Sequence, residues 1–534
     1  MAQCRLIWRT SICSSPRLSS RLLHRSFATS IVARNEQTGQ AVPPPTAPKA
    51  ILNTRHIREN VEAYAKNCRD RNYGALAENA AKIRSLLEDT AKLQSELNAP
   101  RAKIKQVEKS IAQLSAKRAR ETATADELQQ LQALLREAQD LKSGAQAAME
   151  QREQNMEQVQ RLAISLPNMT SSETPLGDDP KLVQYLNFDP ENPPSQIRSR
   201  ISHVDIGTSL GLLDFSSSAT STGWGFYFLT NEAALLEHAL VQYALSVSLR
   251  RGWKPVSPPS VVYSHIAAAC GFQPRDQNGE QQIWAIEQSG RDKAKPQRSL
   301  AATAEIPLAA MYANREIEAG KLPLKYVGAS RCYRAEAGAR GVDTKGLYRV
   351  HEFTKVELFG WTDVLADPTA KQPSTELFEE LQDIQIEILT SLGLPCRVLE
   401  MPSTDLGASA TRKRDIEALF PSRIRSDKTL SAADNIEEAL ESGWGEVTSA
   451  SICTDYQSRR LGTRIAGRSN KKGEAAGSND VRFPHTINGT AMAIPRVIAA
   501  ILENGYDESR GVVVIPEVLR PFMGGRETIG SKEE

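Results

Sequence analysis

At 534 residues, 40% of them hydrophobic and 24% charged, the chain has the make-up of an ordinary soluble protein with about three structural units. Lys and Arg number 66 against 64 Asp and Glu, so the net charge of +2 singles out no partner, and any preference for nucleic acid must come from local clustering. No apolar run approaches the about 18 residues of a membrane span, and the seven scattered cysteines, with no C-x-x-C pair, argue against a disulfide scaffold and a cysteine-rich zinc site.

Residues 1–34 hold six Arg, seven Ser and no acid; the first acidic residue is Glu36. An Arg- and Ser-rich, acid-free leader matches a mitochondrial transit peptide, and Arg25, Phe27 and Ser30 place its cleavage near Asn35. The competing reading is a basic disordered tail. Pro43, Pro44, Pro45 and Pro48 then mark a proline-rich linker over 35–50, so fold reasoning starts near residue 50.

From about Leu76 the apolar residues fall into a heptad seam: Ile83, Leu86, Thr90, Leu93 and Leu97, then Ile104, Val107, Ile111 and Leu114. A polar break follows. Thr124 precedes Glu127 by three residues, the spacing of a capping box, so a second helix starts there. Its expected seam is Leu128, Leu131, Leu135, Ala138, Ala145, Met149, Met156, Val159 and Ala163. Two such helices joined by a short turn fold back as an antiparallel pair, a rod of roughly 60 Å at about 1.5 Å per residue. Pro100 predicts a kink in the first helix. The far end is basic, with Arg101, Lys103, Lys105, Lys109, Lys117, Arg118 and Arg120 against Glu108 and Glu121; this is either a solvated surface or a phosphate-binding tip. Pro167 ends the second helix, and Pro175 to Pro194 mark a linker or irregular domain entrance with neither strand nor helix.

Beyond residue 200, apolar runs alternate with Gly and Pro turns, as in a mixed domain of helices and strands. A helix-like run over 232–247 leads to an extended segment at 252–262. Residues 331–359 predict two strands around a loop with Gly338, Gly341 and Gly346. Arg334 and Glu336 are expected on one face of the first strand, and Phe353, Lys355 and Glu357 on one face of the second. Cations, carboxylates and an aromatic plate together suit a phosphate, an amine and a purine ring. Residues 490–504 form a helix-like apolar run holding the single cation Arg496.

Taken in order, these segments resemble the class II aminoacyl-tRNA synthetases in the form of the seryl-tRNA synthetase family. Residues 252–262, with Pro259, resemble motif 1, residues 331–359 motif 2, and residues 490–504 motif 3. The similarity extends to Arg58, Glu59 and Asn60, Leu166 to Asn168, Thr303 to Glu305, Trp444 to Ser449, Asp455 to Arg460, and His485 to Thr490, and it covers about residues 51–526.

The resemblance implies an α+β fold: an antiparallel catalytic sheet flanked by helices over 171–534, dimerising through motif 1, and an N-terminal antiparallel two-helix coiled-coil arm over 51–170. It implies that L-serine is activated with ATP to seryl-adenylate and transferred to the 3′ end of tRNA(Ser), in the mitochondrial matrix if the leader is an address. Arg334 would hold the ATP α-phosphate and Arg496 the γ-phosphate; Ala335 and Glu336 would lie on the adenine side, with Val350 and Phe353 against the base. Glu446, Val447, Thr448 and Ser449 would bind nucleotide, Glu446 and Ser449 also Mg²⁺; no zinc is expected. Thr303, Ala304, Glu305 and Glu357 would hold serine, with Asn488 and Thr490 closing the pocket. Taken singly, Arg496 also reads as a buried ion pair and Glu357 as a surface acid.

His351 is expected to be a structural hydrogen-bonding residue and Cys332 a packed thiol. The chain departs from the pattern at Glu352, Ala491 and Pro495, and in insertions over 424–442 and 466–480. A carrier-protein synthetase would lack the arm. A catalytically dead paralogue acting as a binding protein would lose Arg334, Glu357 or Arg496, all present here.

Overall fold

The computed structural model describes residues 47–120, 122–191, 201–272, 282–290, 295–336, 346–367, 370–424, 440–466 and 481–530. The expected leader, most of the linker, the bulk of both insertions and the loop with Gly338 and Gly341 lie outside them.

Helices α1 (Asn79–Ala119) and α2 (Ala125–Ser165) pack against each other as the arm. The α1 seam buries Ile83, Thr90, Leu97 and Val107, and the helix continues through Pro100. Thr124 and Glu127 form the capping box that starts α2: the Thr124 hydroxyl accepts from the Glu127 amide, and the Glu127 carboxylate accepts from the Thr124 amide. The α2 seam needs one correction. Leu128 and Leu135 are 38% and 49% exposed, whereas Leu131, Ala138 and Ala145 are buried and Leu134, Leu141 and Ala148 half-buried between them. Adjacent leucines at 134 and 135 satisfy either phase of a 3-and-4 alternation, and only packing against α1 selects the first. Charge on the arm is also more balanced than the basic run suggested. Lys103 meets Glu137 at 2.9 Å, Lys117 meets Glu127 at 2.5 Å, and Lys142 on α2 meets Glu108 at 2.7 Å.

At its base the arm packs on Thr54–Glu59 and Val61–Asp70 around Ile57, Val61, Cys68, Ile83, Val159 and Leu166. The rest of the chain builds an eight-stranded sheet from β1 (Lys181–Leu186), β2 (Lys254–Pro255), β3 (Leu324–Tyr333), β4 (Glu352–Thr362), β5 (Cys396–Glu400), β6 (Arg412–Leu419), β7 (Trp444–Thr454) and β8 (His485–Ala493). Its order is β1-β5-β6-β7-β8-β4-β3-β2, antiparallel except for the short β2–β3 pair. Strand β1 corrects the expectation of no strand between Pro175 and Pro194: the proline-free run Lys181–Leu186 pairs with β5 at the sheet's edge, where flanking prolines interrupt no ladder. Helices α3 (Asn231–Arg250), α4 (Pro373–Ser391) and α5 (Ile494–Gly505) cover the central strands and share one core with them. Residues 355–362 of β4 are all buried, because this central strand is covered on both faces.

Two glycines let α4 approach. A Cβ at Gly360 would come within 2.5 Å of Leu377, and one at Gly489 within 2.5 Å of Leu381. The expected helical run over 490–504 divides in two: residues 490–493 complete β8, and the helix starts at Ile494, with Pro495 in its first turn where the missing N–H costs nothing.

Candidate active site

Strands β4, β7 and β8 and the start of α5 converge on a cavity open to solvent, walled by Arg334, Glu336, Val350, Phe353, Glu446 and Arg496 among others. The β3–β4 ladder runs from Leu324 opposite Trp361 to Tyr333 opposite Glu352. Arg334 therefore lies one residue past the strand, not on it, although its amide still donates to His351 O at 2.9 Å. Glu336 follows at φ 45°, a left-handed backbone, so strand alternation does not place it. Both still reach the cavity. The Arg334 guanidinium sits 5.3 Å from the centre of the Phe353 ring, and Arg349 Nη1 pairs with Glu336 Oε2 at 3.1 Å.

Opposite them, Arg496 Nη1 donates to the Glu446 carboxylate at 3.0 Å and its carbonyl at 2.9 Å, while Nε donates to Tyr348 O at 3.1 Å. Burial would raise the Glu446 carboxyl, but the charges of Arg496, Lys413 and Arg334 outweigh it and hold the group down to about 2. It stays ionised at any working pH, and 37% of its side chain remains exposed to receive a ligand.

A second, deeper group adjoins the first at Thr490. Thr303, Glu305, Glu357, Asn488 and Thr490 are all buried, as is Ala304. Lys355 Nζ pairs with Glu357 Oε2 at 2.6 Å and lies 3.4 Å from Thr490 Oγ1, which in turn lies 3.4 Å from the same carboxylate oxygen. Glu305 accepts from Gln457 Nε2 at 2.6 Å and from Asn488. Burial first and the Glu357 charge second push the Glu305 carboxyl up to about 7, against the pull of Lys355. With both acids ionised, two carboxylates and one lysine leave this pocket one negative charge in excess, which suits an ammonium group.

The backbone between the two groups is held from below by α4. Strands β7 and β8 stay paired at Ala450 opposite Gly489, and β8 changes register against β4 after Thr490. Gln385, one further step along the Leu377 and Leu381 stripe, brings Nε2 within 2.8 Å of Thr448 Oγ1, Ser449 O and Thr490 O. These carbonyls are thereby satisfied in the interior.

Of the residues expected to bind nucleotide, Arg334, Glu336, Val350, Phe353, Glu446, Val447, Thr448, Ser449 and Arg496 line the cavity, and Ala335 stands beside it with its amide on Gln282 O. Sequence reasoning gave no role to Lys355, Tyr348, Arg349, Gln457 or Gln385. Alternation already put Lys355 on the right face, but nothing in the sequence announces Gln385. His351 is held by Arg334 O at 2.9 Å and ringed by Trp224, Phe226 and Trp284, a structural setting, and the Cys332 thiol is buried. Among the described residues no group of three or more His, Cys, Asp or Glu gathers to hold a metal.

An antiparallel sheet that carries paired arginines over an acid-lined cavity defines the class II aminoacyl-tRNA synthetase core, and the family description "tRNA synthetase class II core domain (G, H, P, S and T)" matches residues 287–505. A second, "Seryl-tRNA synthetase N-terminal domain", matches residues 51–170. The mitochondrial serine–tRNA ligase of Saccharomyces cerevisiae is 44% identical over 68% of this chain and 72% of its own length. The mitochondrial enzyme of Schizosaccharomyces pombe is 36% identical over 89% and 88%. The seryl-tRNA synthetase of Pyrococcus horikoshii, solved in complex with ATP, superposes with a TM-score of 0.69 at 28% identity, covering 90% of this chain and 99% of that one. The chain belongs to the seryl-tRNA synthetase family.

Proposed function

We propose that the chain is a mitochondrial serine–tRNA ligase that makes seryl-adenylate from L-serine and ATP and passes the seryl group to the 3′ end of tRNA(Ser). The observation that carries this reading is the junction of two sites at Thr490: an arginine-walled cavity on one side and a buried diacid pocket on the other. In-line attack of the serine carboxylate on the α-phosphorus needs positioning and charge neutralisation, not a side-chain nucleophile. Arg334 is assigned to the α-phosphate, Arg496 to the γ-phosphate, Phe353 and Val350 to the purine, and Glu336 to its edge.

Glu305 and Glu357, with Thr303, Asn488 and Thr490, receive the ammonium and hydroxyl of serine. An analogue without the hydroxyl leaves buried polar groups unpaired, which costs about 10⁴–10⁵-fold in favourable sites. Mg²⁺ suits the hard oxygens of Glu446 and Ser449, since that ion binds through one or two carboxylates plus substrate phosphates. When bound there it supplies charge neutralisation to the phosphates. Asp415, opposite Ser449 in the ladder, lies buried behind this surface and is ion-paired to Lys413 at 2.8 Å.

The arm is assigned to the backbone of the tRNA, where Lys105, Lys109, Arg118 and Arg120 make no ion pair among the described residues. A homodimer through residues 252–262 is supported by the exposed apolar side chains of Leu249, Val261 and Tyr263. Residues 1–34 are assigned as the address to the mitochondrial matrix. Pyrophosphate exchange into ATP tests the reading: it is expected with L-serine and not with alanine, glycine or threonine. Absence of exchange with serine refutes it.

A further inference from the structure

The short helix Tyr456–Leu461 touches both the serine pocket and the arm. Inward, the wholly buried Gln457 donates from Nε2 to Glu305, and its Oε1 has no partner among the described residues, so the amide is tied only to the acid it faces. Outward, Arg460 Nη2 donates to Ile164 O at 3.1 Å, in the last turn of α2, and to Leu166 O at 3.3 Å, just past its end. Its guanidinium lies 3.3 Å from the centre of the Tyr456 ring and closes on Tyr456 O. Arg459 exchanges two hydrogen bonds with Ile51, in the segment leading into the arm domain.

The turn that launches this helix is constrained from the same side. Thr454, at the end of β7, has φ 44°, a conformation that a β-branched residue rarely takes. Asn168, just past the end of α2, donates from Nδ2 to Thr454 Oγ1 at 3.0 Å and Cys453 O at 2.8 Å. The carbonyl of Asn168 in turn accepts from the buried Arg71 and from Asn67 of the arm domain. The arm's base thus holds the backbone on both sides of Gln457, at Cys453 and Thr454 through Asn168 and at Arg460 directly, and only the backbone of this one short turn and helix separates those contacts from the Gln457–Glu305 hydrogen bond.

We propose that Gln457 is a positioning residue for serine binding, and that the seating of the arm's base, through Arg460 and Asn168, sets where Gln457 holds Glu305. This inference rests on the assignment of Glu305 to serine. Any displacement of the arm's base then reaches the amino-acid pocket before the nucleotide cavity, because the helix hydrogen-bonds to Glu305 and, among the described residues, to none of those lining the cavity.

The test is ATP–pyrophosphate exchange with the full chain and no tRNA, titrating serine and ATP separately in Gln457→Met, Arg460→Met, Arg460→Lys and Asn168→Ala, with thermal melting of each. Gln457→Met is expected to raise the serine KM about tenfold, the scale of one lost hydrogen bond to a buried charge, with the ATP KM within about twofold. Arg460→Met and Asn168→Ala, neither of which touches the pocket, are expected to raise the serine KM by a smaller factor, and Arg460→Lys to restore most of it. If Arg460→Met does not fold, Asn168→Ala and Arg460→Lys carry the test. Serine KM values at the wild-type level in the distal variants overturn the coupling, as does an equal rise in both KM values in Gln457→Met. A wild-type protein with no serine-dependent exchange refutes the functional assignment instead.

Discussion

Arg496 and Glu446 illustrate how a half-buried ion pair at a cavity wall is put to chemical use. Their 3.0 Å contact keeps a guanidinium, already desolvated, at the cavity wall, where it needs no reorganisation to meet a phosphate. Arg496→Met is expected to lower kcat for exchange by about 10²–10³-fold, the loss typical of one preorganised charge donor, while also leaving Glu446 unpaired. Single-turnover adenylate formation measures it; a loss under tenfold contradicts the γ-phosphate assignment. Glu305 predicts a pH dependence. Its carboxyl is raised to about 7 by burial and then by Glu357, so it is ionised above that pH and takes up a proton below it. A protonated acid no longer offsets an ammonium, so the serine KM is expected to climb as pH falls from 8 to 6, by up to about tenfold per unit on the acid side. A flat profile would place the ammonium elsewhere. Residue types and order in the sequence pointed to both groups. Lys355 was in view but without a role, since only the fold shows its ammonium 2.6 Å from Glu357.

At the scale of single elements, local chemistry is most decisive where a helix begins. The Thr124 and Glu127 box was legible because capping depends on a spacing of three residues and on nothing distant. Thr124→Ala is expected to cost about 0.5–2 kcal/mol at the start of α2, read as faster amide exchange in its first turns with the catalytic domain unchanged. Protection equal to wild type there would show that packing on α1 alone holds the turn. The register of α2 was not legible in the same way, since Leu134 and Leu135 both fit the seam until α1 chooses between them. Likewise the run over 490–504 reads as one apolar segment. Its first four residues continue β8 alongside β4, where Thr490, Met492 and Ala493 pair, and Pro495 marks the change, a division imposed by the neighbouring strand.

Taken whole, the molecule keeps the arm and the candidate site apart in space, as the proposed division between tRNA capture and adenylation requires. The arm is built from its own helices with a small core at its base, and the site lies on the sheet. Removing residues 84–160 is expected to abolish tRNA charging while serine-dependent pyrophosphate exchange stays within a few-fold of wild type. Equal loss of both would show that the arm is needed to fold or shape the pocket. A modest rise in serine KM, with the ATP KM unmoved, is the form in which the coupling through Arg460 would surface in that truncated protein.

The amino-acid sequence alone determined the two-helix arm, because heptads and capping spacings are local signals, and the resemblance of its ordered segments named nearly all the groups that line the cavity. Tertiary structure alone decided which seam residues are buried, that Arg334 and Glu336 reach the cavity from beyond the end of their strand, and that Gln385, Lys355 and Gln457 take part. The physical reason is separation along the chain: Gln457 lies 152 residues from Glu305 and Arg460 nearly three hundred from α2. Hydrogen bonds over such intervals exist only once sheet pairing and helix packing bring their partners within 3 Å or so of one another.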